Sequence, residues 1–303
     1  MENQKPQIHQ SALSTLSRCG YKFQRIYLDG DKEPSTTPLV VGRGTHSGIE
    51  KNLTNKINKG TLLTKEAVQD LTRDSFAKAW QETPVVLNAE EQFVGINKTR
   101  DLCQDMTIKL SLEHHYALAP KLHPVQVERK FVITSSASKY DIAGTIDDDE
   151  GDSIRDTKTM EVNRGERDVH SSDQYTAYAF AKKVLDGQIP ERIYQDNLIK
   201  SHPPKLISYE TKRTEQDFAI FFDRFNQYVK IIDSGIFTPA NASGFDSPCH
   251  YCGFAREGSC PYFNSKRIFT QTQKPVNIKR KDSDYGKDER IIDLTNCLDA
   301  SQA

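Results

Sequence analysis

Apolar residues fall at helical spacing over 11–28, with Leu13, Leu16, Cys19 and Phe23 available to one face, which predicts a helix that carries Cys19. After a turn-rich stretch at Glu33-Pro34-Ser35, the run 39–53 reads as a second helix with His46 and Glu50 one turn apart on the same side. Gly42, Gly44 and Gly48 give that helix a slim face. Such a face admits a close neighbour or ligand, and packing must offset its poor helix propensity. Two more helices are predicted at 64–81 and 89–118.

The pattern then changes to short alternating runs at 125–133, 140–147 and 153–157, each bounded by polar or turn residues, which predicts a meander of three strands. A helix returns at 172–186 with Ser172 as its cap, strands follow at 193–200 and 206–209, and 214–234 closes as helix. The fold class expected is α/β, a mixed central sheet flanked by helices in a single domain over 1–265. Beyond Tyr262 the chain is polar and mixed in charge, including Lys279-Arg280-Lys281, so 266–303 is expected to be a mobile tail.

A chain of 303 residues can bury a substantial core. It holds no run of apolar residues long enough for a membrane span and no apolar leader near Met1, so a cytoplasmic, reducing location without membrane contact is expected. The formal net charge of −1 announces no nucleic-acid partner, and any electrostatic footprint must be a local groove. Of six cysteines, Cys249, Cys252 and Cys260 cluster while Cys19, Cys103 and Cys297 stand apart. Without an export signal, a Cys-x-x-Cys spacing points to metal before disulfides. Buried thiol and bystander are the readings for Cys103 and Cys297.

The chemistry lies in an ordered series: His46, Gly144-x-x-Asp147, Asp156-x-Lys158 and Gln174-x-x-x-Tyr178. Asp147 ends one predicted strand and Asp156 lies near the end of the next, so a hairpin can bring both acids to one point with Lys158 projecting the same way. Hard oxygen ligands of this kind suit Mg2+ or Mn2+. Such an ion can acidify a bound water, neutralise a scissile phosphate and assist the leaving oxygen, with Lys158 orienting the water or stabilising the transition state. Each piece has a bland counterpart: a turn aspartate in Asp147-Asp148-Asp149-Glu150, a solvated strand face, a packed histidine, an ordinary helix face. The order of the pieces is what sets them apart.

That order resembles the RecB-like branch of the PD-(D/E)XK nuclease superfamily, and is similar to AddB nuclease domains and the CRISPR-adaptation iron-sulfur exonucleases, over nearly the whole chain. The resemblance implies a restriction-endonuclease-like sheet. It also implies a metal held by His46, Asp147, Asp156 and the carbonyl of Thr157, Lys158 as catalytic lysine, and Gln174 and Tyr178 on the helix beside DNA. Glu128, in Val127-Glu128-Arg129, stands where many relatives carry a glutamate. One cysteine before the core and three after it, here Cys19, Cys249, Cys252 and Cys260, are implied to hold a [4Fe-4S] cluster. That cluster would join 11–30 to 245–265 as a cap. Residue type alone leaves zinc open, and the seven-residue gap from Cys252 to Cys260 is longer than in several relatives.

The activity implied is metal-dependent DNA hydrolysis, an exonuclease acting on ends or single strands in recombination, repair or replication. The alternative is a catalytically silent nucleic-acid-binding or assembly module on the same scaffold. Candidate phosphate contacts are Arg43, Arg164, Arg167, Lys200, Lys205, Lys212 and Arg213. No Gly-x-x-x-x-Gly-Lys-Ser/Thr loop is present, so unwinding would fall to a helicase or recombination partner.

Overall fold

The computed structural model describes residues 5–134, 138–243 and 247–263. Its strands are β1 (Gln7–His9), β2 (Ser35–Thr36), β3 (Val85–Val86), β4 (Gln126–Ile133), β5 (Asp141–Asp149), β6 (Ser153–Met160), β7 (Arg192–Ile199) and β8 (Lys205–Thr211). The helices before the central strands are α1 (Gln10–Arg18), α2 (Gly20–Phe23), α3 (Thr37–Lys59), α4 (Lys65–Glu82), α5 (Ala89–Val94) and α6 (Ile96–Ala117). Those after them are α7 (Arg167–His170), α8 (Asp173–Asp186), α9 (Glu215–Ser234) and α10 (Gly253–Glu257).

The expected α/β architecture is present. A six-stranded mixed sheet has the order β1-β5-β6-β7-β8, with β4 also paired to β5. The predicted meander forms its first part, antiparallel from β4 through β5 to β6, and β7 then runs parallel to β6 after the α7–α8 crossover. One face of the sheet packs on α1, α8 and α9 around Leu13, Ile146, Ile154, Tyr175 and Phe221. The other packs on α3, α4 and α6 around Val40, Leu53, Phe76 and Leu110. Burying each such side chain contributes about 1.5–3 kcal/mol. The slim face of α3 is used for packing: a Cβ on Gly48 would lie 2.4 Å from Thr72 Oγ1 on α4.

Two predicted helices are interrupted. The run 11–28 breaks at Cys19, whose backbone is extended (φ −159°, ψ 101°), so Cys19 caps α2 instead of lying within a helix. Tertiary contact explains the break, because the Gly20 N–H donates to the Thr238 carbonyl (2.8 Å) and Cys19 Sγ accepts from the amides of Lys22 and Ala240 (both 3.4 Å). The run 89–118 breaks at Gly95, where φ of +90° is open to glycine and ends α5 before α6 begins. Ser172 occupies the cap position of α8, but its hydroxyl makes no cap bond. The described residues fall within one compact unit, Met1–Ser265, and among them no helix is long and apolar enough to cross a membrane. The tail expected over 266–303, with Cys297, lies outside the described residues.

Candidate active site

The cleft begins with an unusual edge of β5. Parallel β1 pairs with its start, from Gln7↔Asp141 to His9↔Ala143, and antiparallel β6 pairs with its end, at Asp148↔Arg155 and Asp149↔Ile154. Between them, residues 144–147 have no strand partner on that edge among the described residues. Gly144 is required here because a Cβ would stand 2.3 Å from the Phe131 ring. Asp147 fills the opening, its Oδ2 accepting the Thr157 N–H at 3.1 Å in place of a strand carbonyl. The splay of β5 from β6 thus turns neighbouring strands into a cleft.

Asp156, 1% exposed, is the most heavily held residue of the cleft. Lys158 Nζ donates to both its oxygens (2.8 and 3.0 Å), Gln174 Nε2 to Oδ1 (3.1 Å), and the Tyr175 hydroxyl reaches Oδ2 (3.0 Å). His46, reaching in from α3, puts Nδ1 3.4 Å from Asp147 Oδ2. Gln174 also donates to the Tyr178 hydroxyl (2.6 Å), and Tyr178 is buried edge-on against Phe131. Tyr178 therefore stands behind Gln174 and has no open face of its own.

Glu128 enters from the opposite strand. The ladder pairs Val127 with Asp148 and Arg129 with Ile146 but lapses between them, and Glu128 has φ of +51°, a left-handed conformation that costs a non-glycine residue energy. It lines a cavity of about 20 Å3 with His46, Glu50, Asp147 and Thr157. Tyr175 is the residue that pattern reading missed. The signal was a hydroxyl inside an apolar helix stripe, which needs a buried partner.

These groups carry more negative than positive charge. Burial and the neighbouring Asp156 push the Asp147 carboxyl up, although His46, Lys158 and the Thr157 amide pull the other way. Burial of its inward part, with Asp147, Glu50 and Asp156 nearby, pushes Glu128 up to about 7. Burial would lower Lys158, but Asp156 and Asp147 outweigh it and raise its pKa. As the side chains lie, Lys158 covers Asp156 and His46 covers Asp147. No three or more His, Cys, Asp or Glu side chains converge on one point among the described residues. The donor set nevertheless fits a hard divalent cation: oxygen ligands and one imidazole, crowded so that each acid disfavours ionisation of the next.

The two following aspartates differ. They lie in β5 and not in a turn. Both oxygens of buried Asp148 lack a hydrogen-bond partner, and burial pushes this carboxyl up to about 8. Asp149 accepts from Arg129, Lys182 (2.7 Å) and the Gly151 amide (2.9 Å).

Two larger cavities lie along α1. One, of about 380 Å3, is lined by Lys158, Gln174 and the polar side of α1 at Gln10, Ser11 and Ser14. The other, of about 570 Å3, shares Ser14 and includes Arg18, Arg164, Lys200 and Tyr251. Of the candidate phosphate contacts, Arg164, Arg167, Lys205 and Lys212 are exposed, Lys200 pairs with Glu161 and Arg43 with Glu82. Arg213 is a correction. It is buried, its guanidinium donating to Thr176, Thr211 and the carbonyls of Val169, Lys212 and Ser172, so it braces the start of α8 and reaches no phosphate.

At the cap, Cys249, Cys252 and Cys260 pack with Phe254, Ala255 and Phe263, and burial pushes the Cys252 thiol up to about 11. The segment bearing Cys19 docks there: Tyr21 meets Tyr262 edge-on (4.9 Å), Arg25 lies over Phe254 (3.7 Å), and Glu33 accepts from the Gly253 amide (2.8 Å). All four are free thiols, as is half-buried Cys103 on α6. Burial pushes the Cys103 thiol up to about 11 as well.

A candidate exonuclease from Eubacterium rectale is similar in structure at 12% identity, TM-score 0.48, over 80% of this chain and 86% of that one. The protein SSO0001 is similar at 12% identity, TM-score 0.36, over 84% and 97%. No curated protein matches the chain in sequence. The profile of the PD-(D/E)XK nuclease superfamily matches residues 7–261, from β1 past the last cap cysteine. By that match across the sheet, the cleft and the cap, the chain belongs to the PD-(D/E)XK nuclease superfamily.

Proposed function

We propose that this nuclease is a metal-dependent deoxyribonuclease, an exonuclease of the RecB-like branch that acts on DNA ends or single strands in recombination, repair or replication. The observation that carries the reading is the meeting of Asp147, Asp156 and Lys158 where β5 parts from β6. Asp147, Asp156, His46 and the Thr157 carbonyl would hold Mg2+ or Mn2+, with Glu128 beside them. When bound, the ion supplies an acidified water and neutralises charge on the scissile phosphate. Lys158, its pKa raised by the two acids, stays an ammonium at neutral pH. It orients the attacking water and stabilises the charge that develops on phosphate, and does not act as a base. Gln174 faces the Lys158 cavity and forms the helix side of the DNA cleft, with Tyr178 fixing its amide.

Cys19, Cys249, Cys252 and Cys260 hold a [4Fe-4S] cluster in this reading, with zinc the other candidate for four thiolates. Their docked segments support a structural role, a clasp closing the nuclease domain over 1–265. A helicase or recombination partner would supply unwinding. The test is cleavage of end-labelled single- and double-stranded DNA with Mg2+ or Mn2+ by anaerobically purified protein, beside Lys158→Ala, with iron, sulfide and zinc measured on the same preparation. The parent is expected to cut from ends and carry iron, and the variant to lose at least about a hundredfold in rate. An iron-loaded parent that binds DNA without cutting it would move the assignment to a silent binding module.

A further inference from the structure

Asp156 is connected to more than its immediate neighbours. The Tyr175 hydroxyl that reaches Asp156 Oδ2 (3.0 Å) also stands 2.6 Å from the Gln195 side-chain amide on β7. Gln195 meets Asn197 (2.8 Å), Asn197 meets Asn163 (3.4 Å), and Asn163 meets the Tyr209 hydroxyl on β8 (2.6 Å). Tyr175, Gln195 and Asn197 are 1%, 7% and 1% exposed, so water does not compete for these bonds. Asn163 belongs to the segment between β6 and α7, whose next residue, exposed Arg164, lines the 570 Å3 cavity together with Thr159 and Met160 of β6.

The donors and acceptors give the chain a direction. The Tyr175 hydroxyl has one hydrogen and two oxygen-bearing neighbours. Its hydrogen is shared between Asp156 Oδ2 and Gln195 Oε1, and Gln195 Nε2 in turn donates to Asn197 Oδ1. The same sense passes outward: Asn197 Nδ2 donates to Asn163 Oδ1, and Asn163 Nδ2 to the Tyr209 hydroxyl. From Tyr175 outward each donor points the same way, toward Tyr209, and bonds aligned this way strengthen one another. An apolar residue at 195 or 197 would have sufficed for a buried strand. The amides at those positions instead link Tyr175 to the loop at Asn163.

We propose that Tyr175 is a positioning residue for Asp156, and that the Gln195–Asn197–Asn163 relay ties the orientation of Asp156 to the loop bearing Arg164. A nucleic-acid phosphate held at Arg164 then steadies the carboxylate that holds the metal. The proposal rests on the reading of Asp156 as a metal-binding carboxylate of a nuclease.

The experiment compares parent, Tyr175→Phe, Asn163→Ala, the double variant and Asp156→Asn for kcat, KM and the Mn2+ concentration giving half the maximal rate, with thermal melting alongside. Tyr175→Phe keeps the ring and its packing. It is expected to lower kcat and raise the half-activating Mn2+ concentration by about 10–100-fold, with KM for DNA within about twofold. Asn163→Ala, which touches no acid of the cleft, is expected to move the same two quantities in the same direction by less. The double variant is expected to lose no more than Tyr175→Phe alone, because both interrupt one chain. Parent-like metal activation in Tyr175→Phe overturns the positioning role. Asn163→Ala changing only melting or KM overturns the tie to the loop. Parent-like cutting by Asp156→Asn removes the functional reading itself, a result separate from either of those.

Discussion

Asp147 and Asp149 stand two residues apart on one strand, in opposite electrostatic surroundings. Around Asp149 the charges balance: Asp149 and Asp186 face Arg129 and Lys182, with Arg129 forking onto Asp186 at 2.6 and 2.8 Å. Around Asp147 they do not, since Asp156, Glu128 and Glu50 crowd it and Lys158 and His46 are the cationic or titratable partners. One helix serves both, α8 contributing Gln174 and Tyr175 near its start and Lys182 and Asp186 near its end. A closed ionic network holds the strand to the helix. The open one keeps a surplus of negative charge that a cation can relieve, at some expense in stability.

That contrast can be broken by exchanging the outcomes of substitution. The largest effect belongs to the open cluster: Asp147→Asn should reduce DNA cleavage by at least about a hundredfold, while its thermal midpoint equals or exceeds the parent's because a crowded like charge is gone. Lys182→Met should do the reverse. It leaves buried Asp149 short of a partner and should cost about 3–5 kcal/mol in denaturant unfolding. The folded fraction should keep a cleavage rate within about twofold of the parent, because side chains that only balance the fold lie outside the reacting groups. Lost cleavage with unchanged stability in Lys182→Met would show that the balanced network also belongs to the reaction.

An effect spread over pH comes from His114 on α6, which lines the same small cavity and whose Nδ1 has no hydrogen-bond partner. Burial, reinforced by Arg155 and His46, lowers its pKa from the ordinary 6.5 to about 3. The fold therefore keeps it neutral where the unfolded chain would protonate it. Its contribution is complete above the ordinary value and is lost as pH falls toward 3, by about 1.4 kcal/mol per pH unit. Chemical denaturation of His114→Gln between these limits should show a shallower fall than the parent, and an identical slope would assign the acid loss to other groups.

What could be read in advance was what local rules determine. Strand alternation placed Asp156 and Lys158 on one side, and helical spacing set Gln174 over Tyr178. The break at Cys19 could not be read that way, because it depends on a hydrogen bond to Thr238, far along the chain. The left-handed backbone of Glu128 gives no sequence signal, since glutamate does not favour it. Tyr175 was indistinguishable from core until Asp156 and Gln195 were seen on either side of its hydroxyl. Arg213 failed in the other direction, as a basic residue carries the same sequence signature whether it braces a helix start or meets a phosphate.

The shared edge of β5 bears on the order in which the molecule assembles. β4 to β8 follow one another closely enough to pair early, whereas Gln7 meets Asp141 across a separation of 134 residues (141 minus 7). Contacts that close so long a loop are entropically the slow ones. The cap gathers the same remote segment against 248–263. One wall of the cleft is thus a late arrival, and a chain caught partway through folding has its acids in place but no enclosed site in which to use them.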